Sequence, residues 1–539
     1  MGTFILSRQF RNPVSQGIWA LAPFLVSFGC SDAGLATVDE PAVSKATEAL
    51  SDPLSTCSTD PRVTLGLVPL SVCAGARVFF DETFGGNGRT CGTCHPAANN
   101  FTLDTAFIST LPASDPLFVG DKRALSSLET PALRMVDALI RENVDGFQDR
   151  EHKFVSRAVS HTLSLATSIT RDPTDGTSAA FPERVGWGGD GSPDGTLSTF
   201  VDGAIKQHFP RDTSRIEGVS FRAPSNVERD QILAFQMALG RTKDINLSQV
   251  TLTDSVAAAG KAAFMDPMVG RCNECHNNAG ATARLTGKNG NFNTGTVTAP
   301  ATAVALGTFA DGSFLLDGGF GGQESLVPNF RTGGPTGPLD SFGDGTFNTP
   351  PLIEAADTGP FFHQHGFGQS PDPTAAIESG VAFYATGLFL SSPAAKDLDK
   401  RFGGVPVNVG PVIGPIARFL RVLNASFNLA MAKQRLDASR QLNIAFWGYR
   451  DDIQKGLLRL ASEEIDDARR VLVNGGADLH AAQQSSLASA QALLSQAATA
   501  TDPAIRKART ESAMTIVDAA KNAFGTNMTF QLGTGNLMF

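Results

Sequence analysis

The chain has 539 residues, with 44 basic and 53 acidic side chains and a formal net charge of −9. At about 150 residues per domain this length leaves room for three to four domains, and 42% hydrophobic with 18% charged residues is ordinary globular usage, which argues against wholesale disorder. The acidic balance, with no Lys/Arg-rich run, excludes an electrostatic nucleic-acid footprint, and no apolar stretch beyond the N-terminus has the roughly 18 residues a membrane span needs.

The first thirty residues read as an export signal. Arg8 and Arg11 precede an apolar core from Gly17 to Gly29. Cys30 follows at once and loosely resembles a lipoprotein processing site, with Ser27 where such sites usually carry Leu. The reading is therefore a periplasmic or extracellular chain, either free or lipid-anchored through Cys30. Residues 31–69 form a linker, and their Ala, Ser, Thr, Asp and Pro content to about residue 65 predicts a flexible spacer. With Cys30 assigned to the signal boundary, Cys57 and Cys73 are the pair left to form a disulfide in an oxidising compartment.

An apolar stretch with Val72, Ala76 and Phe79 on one face predicts a short helix. A Gly-bearing loop then leads to Cys91-Gly92-Thr93-Cys94-His95. The same order recurs as a helix with Val256, Ala259 and Ala263 on one face, followed by Cys272-Asn273-Glu274-Cys275-His276. Both pentapeptides are C-x-x-C-H, the pattern for covalent haem c attachment. Two thiols three positions apart suit the two vinyl groups of one haem, and the adjacent His suits the iron. A half zinc site or a redox dithiol is the ordinary alternative. A zinc site would need further Cys or His nearby, and none flank either motif.

The repeat extends beyond the motifs. Ala74-Gly75 and Phe79-Phe80-Asp81 align without gaps to Ala259-Gly260 and Phe264-Met265-Asp266. Downstream, Ser192-Pro193-Asp194 recurs as Ser370-Pro371-Asp372, and Phe200 to Ala204 matches Ile377 to Val381. Helical patterns at Arg229 to Leu239 and Ile416 to Leu423 close the two halves. This predicts a mostly α fold with two tandem cytochrome c-like domains, 70–247 and 248–426. Loop-rich insertions interrupt them, notably 280–345, which is Gly/Thr-rich with little periodicity. Residues 427–539 form a helical extension, with Gly475-Gly476 as a break, Asp478 as the next helix cap, and helices near 479–500 and 504–524. Met528 to Phe539 reads as a short strand or a tail.

The order of these features resembles the di-haem cytochrome c peroxidase/MauG superfamily, which includes the di-haem rubber oxygenases. The resemblance covers roughly residues 70–426. Its most specific part beyond the haem motifs is Asn348-Thr349-Pro350-Pro351-Leu352 through Gly359-Pro360-Phe361-Phe362-His363, similar to the family's T-P-x-L-x-N…P-[YF]-x-H-D-G segment. Gln364 stands where the family has Asp. Gly186-Trp187-Gly188-Gly189-Asp190-Gly191 looks like a variant of F-W-D-G with an insertion.

The resemblance implies two covalently bound haem c groups held by Cys91, Cys94, Cys272 and Cys275, with His95 and His276 on the irons. Tyr384 matches the distal ligand position of the second haem, with His363 and His365 as competitors and core packing as its ordinary reading. Glu183 matches the distal carboxylate of the first haem, with His161 and His208 as alternative pocket residues. His208 lies near the Tyr384 equivalent in the repeat. Trp187 is a pocket or inter-haem residue. The family's usual inter-haem Trp is absent between His95 and Trp187, where Phe147 is the nearest aromatic substitute. A calcium ion between the domains is compatible with the resemblance and is not readable from these residues.

Three functions follow from the resemblance. The first is a peroxidase that takes electrons from a small redox protein such as a cytochrome c or cupredoxin. The second is a MauG-like or rubber-oxygenase-like oxidation of an organic or protein substrate with peroxide or dioxygen. The third is electron transfer without catalysis.

Overall fold

The computed structural model describes residues 53–126, 128–143, 154–177, 181–191, 194–298, 307–308, 314–320, 341–367 and 372–539. The export signal with Cys30, Phe147, and the Ser-Pro pairs at 192–193 and 370–371 lie outside them. The fold is mostly α. The helices that frame the two motifs and the C-terminal region include α1 (Leu70–Asp81), α2 (Leu197–His208), α3 (Asn226–Gln236), α4 (Ser255–Met265), α5 (Ile377–Phe383), α6 (Ile413–Ala445), α7 (Asp451–Val473), α8 (Ala481–Thr499) and α9 (Pro503–Phe524). Local chemistry sets their starts. Ser225 and Glu228 form a reciprocal capping box on α3, Asp254 caps α4, and Asp502 followed by Pro503 opens α9.

Two helix pairs repeat the same contact. α1 packs on α3 and α4 packs on α6. A Cβ at Gly75 would collide with the carbonyl oxygen of Gln231, and one at Gly260 with that of Pro415. Each pair also carries a Phe–Phe contact, Phe79 on Phe235 at 5.2 Å and Phe264 on Phe419 at 5.5 Å between ring centroids. The aligned glycines are therefore the points of closest helix approach. A Gly75→Ala or Gly260→Ala variant must push two backbones apart, and overpacking of this kind should cost about 3 kcal/mol. A urea unfolding midpoint unchanged by either substitution would contradict the tight crossing.

The close approach at Gly260 also corrects the predicted face of α4. Ala257, Gly260, Ala263 and Phe264 are buried, whereas Val256 and Ala259 face solvent. A reading based on apolar side chains ignores a glycine, yet here glycine marks the packed side.

Other expectations also change. Residues 53–58 and 61–64 are helical rather than spacer, and Cys57 is disulfide-bonded to Cys73 of α1 across a Cα separation of 5.8 Å. The boundary expected at 426/427 falls inside α6, a single helix of 33 residues. No Gly or Pro follows Pro415 to end it, so it runs about 50 Å at 1.5 Å per residue. Asp478 does not cap α8: His480 occupies that position in a left-handed conformation, and the exposed Asp478 carboxylate faces Arg418 at 3.5 Å. Gly475 and Gly476 do end the preceding helix, and α8 and α9 match the predicted spans.

The insertion 280–345 contributes to a four-stranded sheet. Strands β1 (Asn291–Phe292), β2 (Gly307–Thr308), β3 (Phe314–Gly319) and β4 (Ser341–Asn348) lie in the order β1-β4-β3-β2, with β3 and β4 parallel and the other pairs antiparallel. Their glycines and short length hid the strand periodicity. A hairpin of Leu139–Glu142 and Val155–Ala158 docks on this sheet through a buried bidentate ion pair, Arg157 to Asp317 at 2.7 and 2.9 Å.

The C-terminal region is woven into the rest. Gly525–Thr526 pairs with Thr251–Leu252, and Gln531–Leu532 pairs with Arg241–Lys243. Leu537, Met538 and Phe539 pack into the core around α1 and α3. The described residues, all from 53 onward, belong to one compact unit. No helix among the described residues is long and apolar enough to cross a membrane.

Candidate functional site

Each C-x-x-C-H forms one helical turn after its own helix, Cys91–Cys94 after α1 and Cys272–Cys275 after α4. A buried arginine fixes the approach to each turn. Arg89 pairs with Glu129 at 2.7 Å, and Arg271 pairs with Asp399 at 3.0 Å. The four thiols are free while Cys57 and Cys73 are bonded. All four are half-buried, and Cys272 and Cys275 line a cavity. Burial pushes Cys91, Cys272 and Cys275 up to about 12 and Cys94 up to about 11. Such thiols stay protonated, unlike the low-pKa thiolates of redox dithiols.

The two histidines are held alike. His95 Nδ1 lies 3.0 Å from the carbonyl oxygen of Phe101, and His276 Nδ1 lies 3.0 Å from that of Pro350. A ring whose Nδ1–H is given to a carbonyl presents Nε2 as its lone-pair donor, the arrangement of metal-ligating histidines. Burial lowers both imidazoles, His276 to about 4, so both are neutral, as ligation requires. Free thiols, anchored rings and an adjoining cleft fit a covalently attached haem. Among the described residues, no group of three or more His, Cys, Asp or Glu side chains is gathered as a bare metal ion would need.

The second motif opens on a cavity of about 250 Å³. Cys272, Cys275 and His276 form one wall, with Leu352, Phe361, Val381, Phe389 and Leu420 among its apolar lining. Tyr384, at the end of α5, also lines it. Its ring packs on Phe383 and Phe389, it lies within electrostatic reach of both thiols, and burial pushes its phenol above the ordinary range. The Tyr384 hydroxyl makes no hydrogen bond among the described residues, so its oxygen is free to act as a donor.

His363 and His365 line the same cavity. His363 stacks on Phe347 at 4.0 Å, and burial lowers it to about 4. His365 Nδ1 lies 2.7 Å from the carbonyl oxygen of Asp137.

The first motif sits against an aromatic cluster. Phe79, Phe80 and Phe101 meet there, and Phe539 joins at 5.0 Å from Phe101. His208, at the end of α2, is within electrostatic reach of His95, and burial lowers it to about 3. Its carbonyl accepts from Asn87 Nδ2 at 2.9 Å, which ties α2 to the loop before Cys91.

Glu183 holds the start of α2. Its Oε2 accepts the Leu197 N–H at 2.7 Å at the start of α2, and it is absent from the cavity wall. Four peptide N–H groups at a helix start lack intrahelical partners, and Glu183 serves one of them.

The segment 158–163 joins the two motifs. The Val159 carbonyl accepts the Thr102 hydroxyl at 2.5 Å, one residue after the carbonyl that holds His95. Ala158 donates to the His363 carbonyl at 2.7 Å and accepts the Trp187 indole N–H at 2.8 Å. Trp187 and His161 both line the cavity, and His161 is within electrostatic reach of His95.

No family model matches the chain, and no curated protein or solved structure matches it. Sequence reasoning missed the two carbonyl anchors, because any residue supplies a carbonyl. It also missed the buried cluster of Ser164, Arg241 and Glu354 behind the cavity, whose one visible signal was a lone charge in the apolar run 350–356.

Proposed function

We propose that the chain is an exported di-haem c-type oxidoreductase of the di-haem cytochrome c peroxidase/MauG type. The observation that carries this reading is the twofold one: two C-x-x-C-H turns with free thiols, each with its His Nδ1 bonded to a carbonyl. The repeated helix crossing at Gly75 and Gly260 supports two cytochrome c-like units behind these turns. When bound, such groups supply one-electron redox chemistry and a metal face for peroxide or dioxygen.

The residues divide the work. Cys91, Cys94 and His95 would hold the reactive group, and Cys272, Cys275 and His276 would hold the relay group, with Tyr384 on the same cavity wall as its candidate oxygen donor. The apolar walls at Leu352, Phe361 and Val381 keep bulk water from the relay side. Trp187 and segment 158–163 bridge the two centres with hydrogen bonds, in place of the family's usual inter-haem Trp. A small redox protein is the electron donor. Peroxide reduction is the first reading of the reactive centre. Oxidation of an organic or protein substrate is the second, favoured by an oxygen donor at Tyr384 rather than a thioether.

Mass spectrometry of protein from a host competent in haem attachment should show two covalent haems per chain, falling to one in a Cys272→Ser/Cys275→Ser variant. One haem or none in the wild type overturns the reading.

A further inference from the structure

Glu354 is a buried carboxylate that neither motif uses. It is 1% exposed and closes the run that begins at Pro350, whose carbonyl holds His276. Its Oε1 accepts from Ser164 Oγ at 2.5 Å and from Arg241 Nε at 2.9 Å. Its Oε2 has no hydrogen-bond partner among the described residues. Arg241 Nη2 and His161 Nδ1, both buried, have none either. The His161 ring lies beside the Leu163 backbone and on the cavity wall, with Glu354 as the largest charge acting on it.

Three polar atoms left unpaired together are costly for packing alone, and they collect where polar groups serve chemistry. The charges facing the pair are few. Arg241 and Glu354 are the charged groups within electrostatic reach of His161, and His161 is itself within electrostatic reach of His95. Glu354 itself faces Arg241, His161 and Asp244, and Asp244 also pairs with Arg241.

We propose that His161, on the cavity wall and under the charge of Glu354, is the redox-linked proton acceptor of the site. It takes up one proton as one electron from the donor protein reaches the centre held by His95, and it releases that proton when the electron leaves. Glu354 is a positioning residue: its negative charge favours the imidazolium, and Arg241 opposes it. Burial holds His161 below the ordinary imidazole value at rest, so an arriving electron has a proton to draw in. The proposal rests on the di-haem reading given above.

The test is spectroelectrochemistry of the full chain across pH, with haem count by mass spectrometry on the same samples. In the wild type, the reduction potential of the first centre should fall as pH rises through the His161 titration. His161→Gln should abolish that pH dependence. Glu354→Gln should move its window to lower pH, because the charge that favours the imidazolium is gone, and Glu354→Asp should restore it. Asp244 still pairs with Arg241 in Glu354→Gln, and His161→Gln decides the matter should that variant fail to fold. A two-haem His161→Gln protein with unchanged pH dependence overturns the proposal, as does a Glu354→Gln protein whose only change is a lower melting temperature. A wild type without covalent haem overturns the underlying reading instead.

Discussion

Replacing His95 with alanine should abolish turnover of peroxide or dioxygen, by about a thousandfold or more, while both haems stay attached. The thioether bonds depend on Cys91 and Cys94 alone, so the variant keeps its cofactor and loses the ring that the Phe101 carbonyl anchors. His276→Ala should instead leave slower turnover that rises when electrons are supplied directly by a small reductant. The asymmetry follows from the surroundings: the second motif faces Tyr384 across an apolar cavity, whereas His208 lies within electrostatic reach of His95 at the first. Stopped-flow turnover of the two variants checks this. Cyanide binding only at the second centre of the wild type would reverse the assignment.

The second large effect is expected at Tyr384. Tyr384→Phe removes one oxygen and keeps the ring that packs on Phe383 and Phe389, so the variant should fold with two haems. Its second centre should lose the six-coordinate optical and EPR signature, or show a new ligand. An oxygen donor favours the oxidised metal, so the potential of that centre should rise when it is removed. An unchanged spectrum would return Tyr384 to core packing and leave His363 or His365 as the ligand. His365 has the better geometry of the two, because its Nδ1 is already committed to the Asp137 carbonyl.

The parts of this molecule that were legible in the sequence are those fixed by side-chain identity at short range. The C-x-x-C-H turns, the Cys57–Cys73 pair, the break at Gly475-Gly476 and the helical periodicity of the last hundred residues all fall in that class. What escaped depends on partners distant in sequence. The packed face of α4 is set by where the Pro415 backbone passes, which no local pattern around Val256 and Ala259 encodes. Glu183 sits at the spacing of a distal acid, and its bond to the start of α2, fourteen residues on, is set by the fold of the segment between. Glu354 lies 190 residues from Ser164, and only folding makes them neighbours. The domain boundary near 426 failed for the opposite reason: a local signal, the absence of helix breakers, outweighed the expected architecture.

The threading of the last residues carries a consequence for how the chain is made. Phe539 touches Phe101 and Phe80, Leu537 accepts from Arg62, and Asn536 exchanges two hydrogen bonds with Gly240. The core that supports the first motif therefore lacks several of its members until residue 539 has left the ribosome. During vectorial synthesis Cys91 and Cys94 emerge more than four hundred residues before that core can close, and the late-arriving tail then seals the aromatic cluster beside the motif.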